Sequence, residues 1–126
     1  MFTHTLMSGI SHLAGHEKSI PSLCWNQHPK FEGIAMKNII AGEETNGQIS
    51  VHLVRIEPGA AIGGHVHASQ WELHQVLEGA GRAKIGKEWV PYAAGTLSVV
   101  PVGKEHEVVA DGEGMLLLAT FSPPLA

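Results

Sequence analysis

Three histidines and a glutamate, His65, His67, Glu72 and His74, fall within ten residues in the stretch "GGHVHASQWELHQVLEG". Imidazole nitrogens and a carboxylate are donors that hold transition metals of intermediate softness, and the same groups move protons near neutral pH. On a strand, side chains at i and i+2 leave the same face with α-carbons roughly 6.6 Å apart. His65 and His67 therefore point the same way and can reach one ion. By the same rule Glu72, His74, Val76 and Glu78 share one parity, and Leu73, Gln75 and Leu77 the other. Taken alone, the segment reads equally as a metal site or as a solvated strand face.

A second segment, "GTLSVVPVGKEHEVVA", sets Gly95, Pro101, Gly103 and His106 in order. The two segments together resemble the paired motifs of the cupin superfamily. The first family motif is a glycine, five residues, His-x-His, three or four residues, a glutamate, six residues and a glycine; Gly59, His65, His67, Glu72 and Gly79 fall on its fixed positions. The second is a glycine, five residues, Pro-x-Gly, two residues, a histidine, three residues and an asparagine; Gly95, Pro101, Gly103 and His106 match. Ala110 stands where the asparagine would be. That asparagine is not a metal ligand in the family, so its loss bears on local hydrogen bonding rather than on the metal.

The resemblance covers about residues 33–121. It implies a small jelly-roll β-barrel of antiparallel strands, with a metal held inside by His65, His67, Glu72 and His106. Three imidazoles and one carboxylate suit one divalent transition metal per chain (Zn, Ni, Fe, Mn, Co or Cu) and suit Ca or Mg poorly. On a six-coordinate ion such a set leaves two positions for water or substrate.

His74 follows Glu72 in the same parity, which turns it inward as a candidate catalytic acid-base group; the alternative is a structural histidine bonded to the backbone. His52 shares parity with Val54 and Ile56 and can enter the barrel, or be a buried structural histidine. Trp71, Trp89, Phe31 and Phe121 read as packing or subunit interface. Tyr92 is expected at the surface, the alternative being a place lining the barrel mouth, and Cys24 as a small buried hydrophobe. His4, His12, His16 and His28 share no ligand spacing.

The elements that must position these groups are short. Of 126 residues, 44% are hydrophobic and 16% charged, with fifteen glycines and seven prolines dispersed along the chain. From about residue 33, β-rich runs alternate with turn signals at "ETNG", "EPG", "EGAG", "IGK", "AAG", "PVG" and "ADGEG". An all-β domain over 33–126 is expected, preceded by an arm or strand over 1–32 that packs on the barrel or on a partner subunit; residues 1–22 show no sustained period. Helical signals are nearly absent.

With a net charge of −4 and no basic run, nucleic acid is not an expected partner. No segment reaches the roughly 20 apolar residues of a membrane span. The single cysteine is compatible with a reducing compartment, so a cytoplasmic protein is expected. A homodimer is expected too, as in small cupins.

The functional expectation is a metal-dependent enzyme, a dioxygenase, lyase or isomerase, acting on a small oxygenated or carboxylated substrate that chelates the ion. The alternative is a non-catalytic, metal-dependent binder of a sugar or carboxylate.

Overall fold

The structure, a computed structural model, describes residues 2–125. Met1 and Ala126, the outermost residues of the expected arm and barrel, lie outside the described residues. The turn-punctuated runs become ten strands. Strands β1 (Ile10–Leu13) and β2 (His16–Ser19) form a separate hairpin, closed by Ala14 and Gly15, both at positive φ as a tight two-residue turn requires. The remaining strands are β3 (Asn26–Gln27), β4 (Ile34–Ile40), β5 (Ser50–Ile56), β6 (Ala61–His65), β7 (Trp71–Ile85), β8 (Glu88–Ala93), β9 (Leu97–Val100) and β10 (His106–Ser122). They form one antiparallel sheet in the order β3-β4-β5-β10-β7-β8, with β6 also on β10 and β9 also on β7. Among the described residues the only helical pieces are 3-10 turns at Thr5–Ser8, Ile20–Ser22 and Gly42–Thr45.

Two expected turns are not turns. "EGAG" lies inside β7 and "ADGEG" inside β10, so both strands run much longer than the turn signals suggest. Gly79 and Gly114 sit at φ 81° and 79°, and a Cβ on Gly79 would lie 2.1 Å from the Gly114 carbonyl oxygen. The ladder between the strands also skips between Ala110 and Met115. These glycines bend the paired strands together instead of ending them. Residues 71–78 of β7 and 115–122 of β10 join β5 and β9, whereas their other halves join β6 and β8. Folding one half onto the other makes the antiparallel jelly-roll barrel.

Alternation sorts the side chains between two apolar clusters. Val54, Ile56, Val76, Tyr92, Leu117 and Phe121 fill the barrel. Ile39, Leu53 and Leu116 face outward and are covered by Ile20, with Leu6, Met7, Leu23 and Trp25 packed around them. The N-terminal segment thus lies on its own barrel, and polar bonds pin it there. Lys37 Nζ donates to the Ile20 carbonyl at 2.9 Å, Lys18 Nζ donates to the Ile39 carbonyl at 2.9 Å, and Lys18 also pairs with Glu44. Glu78 Oε2 accepts from the backbone N–H groups of Thr3 (2.7 Å) and His4 (3.0 Å). Glu78 therefore meets the arm instead of following Glu72 and His74 into the barrel. The ladder skips a residue at Leu77, pairing Leu116 with Glu78 and Leu117 with Val76, and that bulge breaks the parity. Cys24 is exposed, contrary to the expectation of burial, because its neighbours Leu23 and Trp25 take the inward positions.

Candidate metal centre

The bend brings four side chains together from both halves of the barrel. His65 ends β6, His67 follows two residues later, Glu72 is the second residue of β7, and His106 is the first of β10, where it pairs with His65. One donor atom from each of the four lies within 4.8 Å of the others. Glu72 and His106 are buried, and His65 and His67 are half-buried.

Backbone carbonyls orient two of the imidazoles. Nδ1 of His65 lies 2.8 Å from the Gly63 oxygen, and Nδ1 of His106 lies 3.0 Å from the Lys104 oxygen. A carbonyl only accepts, so each Nδ1 carries a proton and the Nε2 of the neutral ring is a bare lone pair. His106 Nε2 nevertheless stands 3.1 Å from Glu72 Oε1, and His67 Nε2 stands 3.4 Å from the same oxygen. A lone pair facing a carboxylate oxygen at that distance is repulsive unless a cation lies between them. In the free protein that cation is a proton; a metal ion satisfies the same donors without one. The residues present fit a divalent transition metal on this ground.

The ionisation tendencies follow from the contacts. Burial opposes charge on Glu72, but hydrogen bonds from His106, His67 and His74 outweigh it and hold the carboxyl well below the usual range. Burial lowers the pKa of His106, yet the Glu72 carboxylate and the Lys104 carbonyl more than offset this and leave it raised. His65 is lowered, foremost by burial, against the Gly63 carbonyl; its neighbours His106 and His67 add to the lowering.

His74 is buried just behind Glu72. Its Nε2 lies 2.6 Å from Glu72 Oε2 and its Nδ1 lies 2.8 Å from the Tyr92 hydroxyl. Tyr92 is fully buried, not at the surface as expected. Its strand β8 pairs with the far half of β7, and alternation there turns Tyr92 into the barrel between exposed Pro91 and Ala93. Only the pairing partner of β8, invisible in a local pattern, reveals this.

Two phenylalanines border the cluster. Phe31 lies 6.2 Å, ring to ring, from His65 and 4.9 Å from His28; Phe121 lies 5.1 Å from His67 and 5.6 Å from His52. His28 and His52 both line a cavity of about 730 Å³, which none of the four candidate ligands lines. His28, which shares no ligand spacing with the other histidines, and His52, read as entering the barrel or as a buried structural histidine, are thus each one aromatic ring away from the cluster.

A model of the cupin domain matches residues 52–121, a span that holds all four ligand candidates together with His74 and Tyr92. The chain belongs to the cupin family. No curated protein matches this cupin's sequence. Among solved structures it is similar to a predicted oxalate decarboxylase from Thermotoga maritima, with TM-score 0.76, 19% identity, 82% of this chain and 95% of that one covered. It is also similar to KdgF from Halomonas sp. (TM-score 0.69, 24% identity, 79% and 86% covered). An RmlC-like cupin from Shewanella frigidimarina gives TM-score 0.71 at 19% identity, with 90% and 91% covered. At these identities the likeness is one of fold. Where the cupin motif carries asparagine, Ala110 is buried in the core cluster and its N–H donates to the Ala60 carbonyl at 3.0 Å.

Proposed function

We propose that His65, His67, Glu72 and His106 hold one divalent transition metal per chain, and that this cupin is a metal-dependent enzyme acting on a small oxygenated or carboxylated substrate that chelates the ion. The observation that supports it is that His106 Nε2, left bare by the proton its Nδ1 gives to the Lys104 carbonyl, faces Glu72 Oε1 at 3.1 Å, a contact that a cation between them relieves, with His67 Nε2 at 3.4 Å from the same oxygen. When bound, the metal supplies a Lewis acid with room for substrate oxygens. The chain's own part is to hold the donors rigid. Gly63 and Lys104 fix two tautomers, and His74 fixes Glu72 by occupying its second oxygen. His74 is thereby a positioning residue that exchanges protons only with Glu72 and Tyr92.

One observation favours the non-catalytic binder: His74, the group expected to move a proton, has both ring nitrogens engaged. Metal analysis of the purified protein, followed by a turnover panel with oxygen-uptake measurement, separates the readings. One ion per chain that is lost in both His65→Ala and His106→Ala, with conversion of a carboxylate substrate, supports the enzyme. Full metal occupancy in the double variant overturns the site, and metal-dependent binding without conversion supports the binder.

The same reading places the chain in the cytoplasm, in keeping with its one exposed thiol, as a homodimer. Support for the dimer comes from Trp71, Leu97 and Val99, which are 53%, 64% and 53% exposed on β7 and the outer strand β9. Such an apolar strand edge is ordinarily covered.

A further inference from the structure

The 730 Å³ cavity has a wall whose hydrogen bonds run in one direction. Leu125 N donates to Ser50 Oγ at 2.9 Å; Ser50 Oγ lies 2.9 Å from His52 Nε2; His52 Nδ1 lies 2.7 Å from Asn38 Oδ1. All four residues line the cavity. A backbone N–H can only donate, so Ser50 accepts at its first bond. Ser50 is wholly buried, and its own hydroxyl proton has no acceptor among the described residues other than His52 Nε2. His52, 5% exposed, therefore carries its proton on Nδ1 and gives it to Asn38. Burial lowers the pKa of His52, which keeps the ring neutral and the chain of bonds intact. The outcome is a fixed amide on Asn38: its oxygen is taken, and its NH2 group has no protein acceptor among the described residues.

We propose that this cavity is a ligand site whose recognition group is the Asn38 NH2, and that it takes a ligand presenting an uncharged oxygen acceptor, such as a ketone, ester or lactone carbonyl. An NH2 group donates and cannot accept, so an ammonium or other donor-only group finds no partner at the Asn38 amide itself. No lysine or arginine lines the cavity, whereas Glu43 does, so a carboxylate finds repulsion without compensation. The volume is that of a small-molecule site. Met36, Pro29, Pro124 and Leu125 supply apolar wall for the ligand's carbon body. The site stands apart from the metal proposal, because none of the four metal-ligand candidates lines it.

The test uses ¹⁵N-labelled full-length protein as purified, with cyclohexanone and cyclohexanecarboxylate as probes of equal ring and different head. Long-range ¹H–¹⁵N spectra report the His52 tautomer directly, and an Nδ1–H ring is expected. Cyclohexanone should shift the Asn38 side-chain NH2 signals and bind at least about fivefold more weakly to Asn38→Asp, the loss of one neutral hydrogen bond. The carboxylate should bind the wild type more weakly than the ketone. Asn38 is exposed on its strand, so Asn38→Asp leaves the core untouched. Ser50→Ala should release the His52 tautomer and broaden the Asn38 signals. An Nε2–H ring in the wild type, equal ketone affinity in Asn38→Asp, a preference for the carboxylate, or no Asn38 shift at the solubility limit of cyclohexanone each overturns the proposal.

Discussion

The Tyr92 hydroxyl stands 2.8 Å from His74 Nδ1, and both residues are buried. That bond closes a chain from β8 to Glu72, and cutting it at two places gives different results. Tyr92→Phe leaves a buried ring nitrogen unpaired and should cost about 1–3 kcal/mol in denaturant unfolding. His74→Phe frees Glu72 Oε2 and should weaken metal about 10–100-fold in chelator competition, the usual effect of removing a group that orients a ligand. Unchanged metal affinity in His74→Phe, with only the melting temperature lowered, would make it a packing residue.

At the proposed site, protons and metal would compete for the same donors. The Glu72 carboxylate and the Lys104 carbonyl raise the pKa of His106, so an incoming metal must displace its proton at higher pH than for an ordinary imidazole. Metal affinity should therefore fall as pH drops through that raised value, by roughly tenfold per pH unit for each proton displaced. Chelator competition across neutral and mildly acidic pH checks this; a flat profile would contradict the ligand set.

His52 contributes to stability with the opposite protonation preference. Burial lowers its folded pKa below 6.5, with Glu72 opposing. The unfolded chain then binds more protons just below 6.5, so stability should fall as pH drops from 6.5 toward the folded value and be level above it. Subtracting the pH profile of His52→Gln from that of the wild type isolates this part. A difference that grows as pH falls through this range would reverse the assignment.

Gly79 admits no side chain. Alanine there would meet the Gly114 oxygen at 2.1 Å and hold φ at 81°. Gly79→Ala should cost on the order of 3 kcal/mol or prevent folding, by the combined penalties of overpacking and left-handed backbone. Gly47, also at positive φ but with open space around it, is the control: Gly47→Ala should lose only about 1–2 kcal/mol.

The proposed dimer face is tested by charge. Leu97→Asp, on a side chain that is 64% exposed, should leave the monomer fold intact and halve the mass by light scattering at micromolar concentration. A wild-type monomer at that concentration ends the dimer proposal.

How much of this was legible beforehand depended on whether a residue's partner lay within its own segment. His65 and His67 announced themselves because a two-residue spacing fixes a shared face, and Glu72 with His74 for the same reason. His106 needed the second motif, since 34 residues separate it from Glu72 and only the fold joins them. Tyr92 was misplaced because its direction depends on which half of β7 receives β8. Glu78 was misplaced because a single bulge at Leu77 reverses parity, and bulges leave no periodic trace. Gly79 and Gly114 carry the glycine signal of a turn, yet their positive φ makes them the crease in two long strands, because a turn and a crease ask for the same residue. The donor chain from Leu125 to Asn38 joins residues up to 75 apart and has no local signature.

Strand β10 begins with the last ligand and pairs along its length with β5, β6 and β7. A ribosome therefore releases the first three donors, contained within eight residues, well before the fourth. Until β10 has been synthesised, β5 and β6 have no common neighbour and the three donors form no closed set. At the proposed site, ion retention would double as a quality stamp: it would distinguish a cupin translated and folded through β10 from one that stalled or was clipped before it.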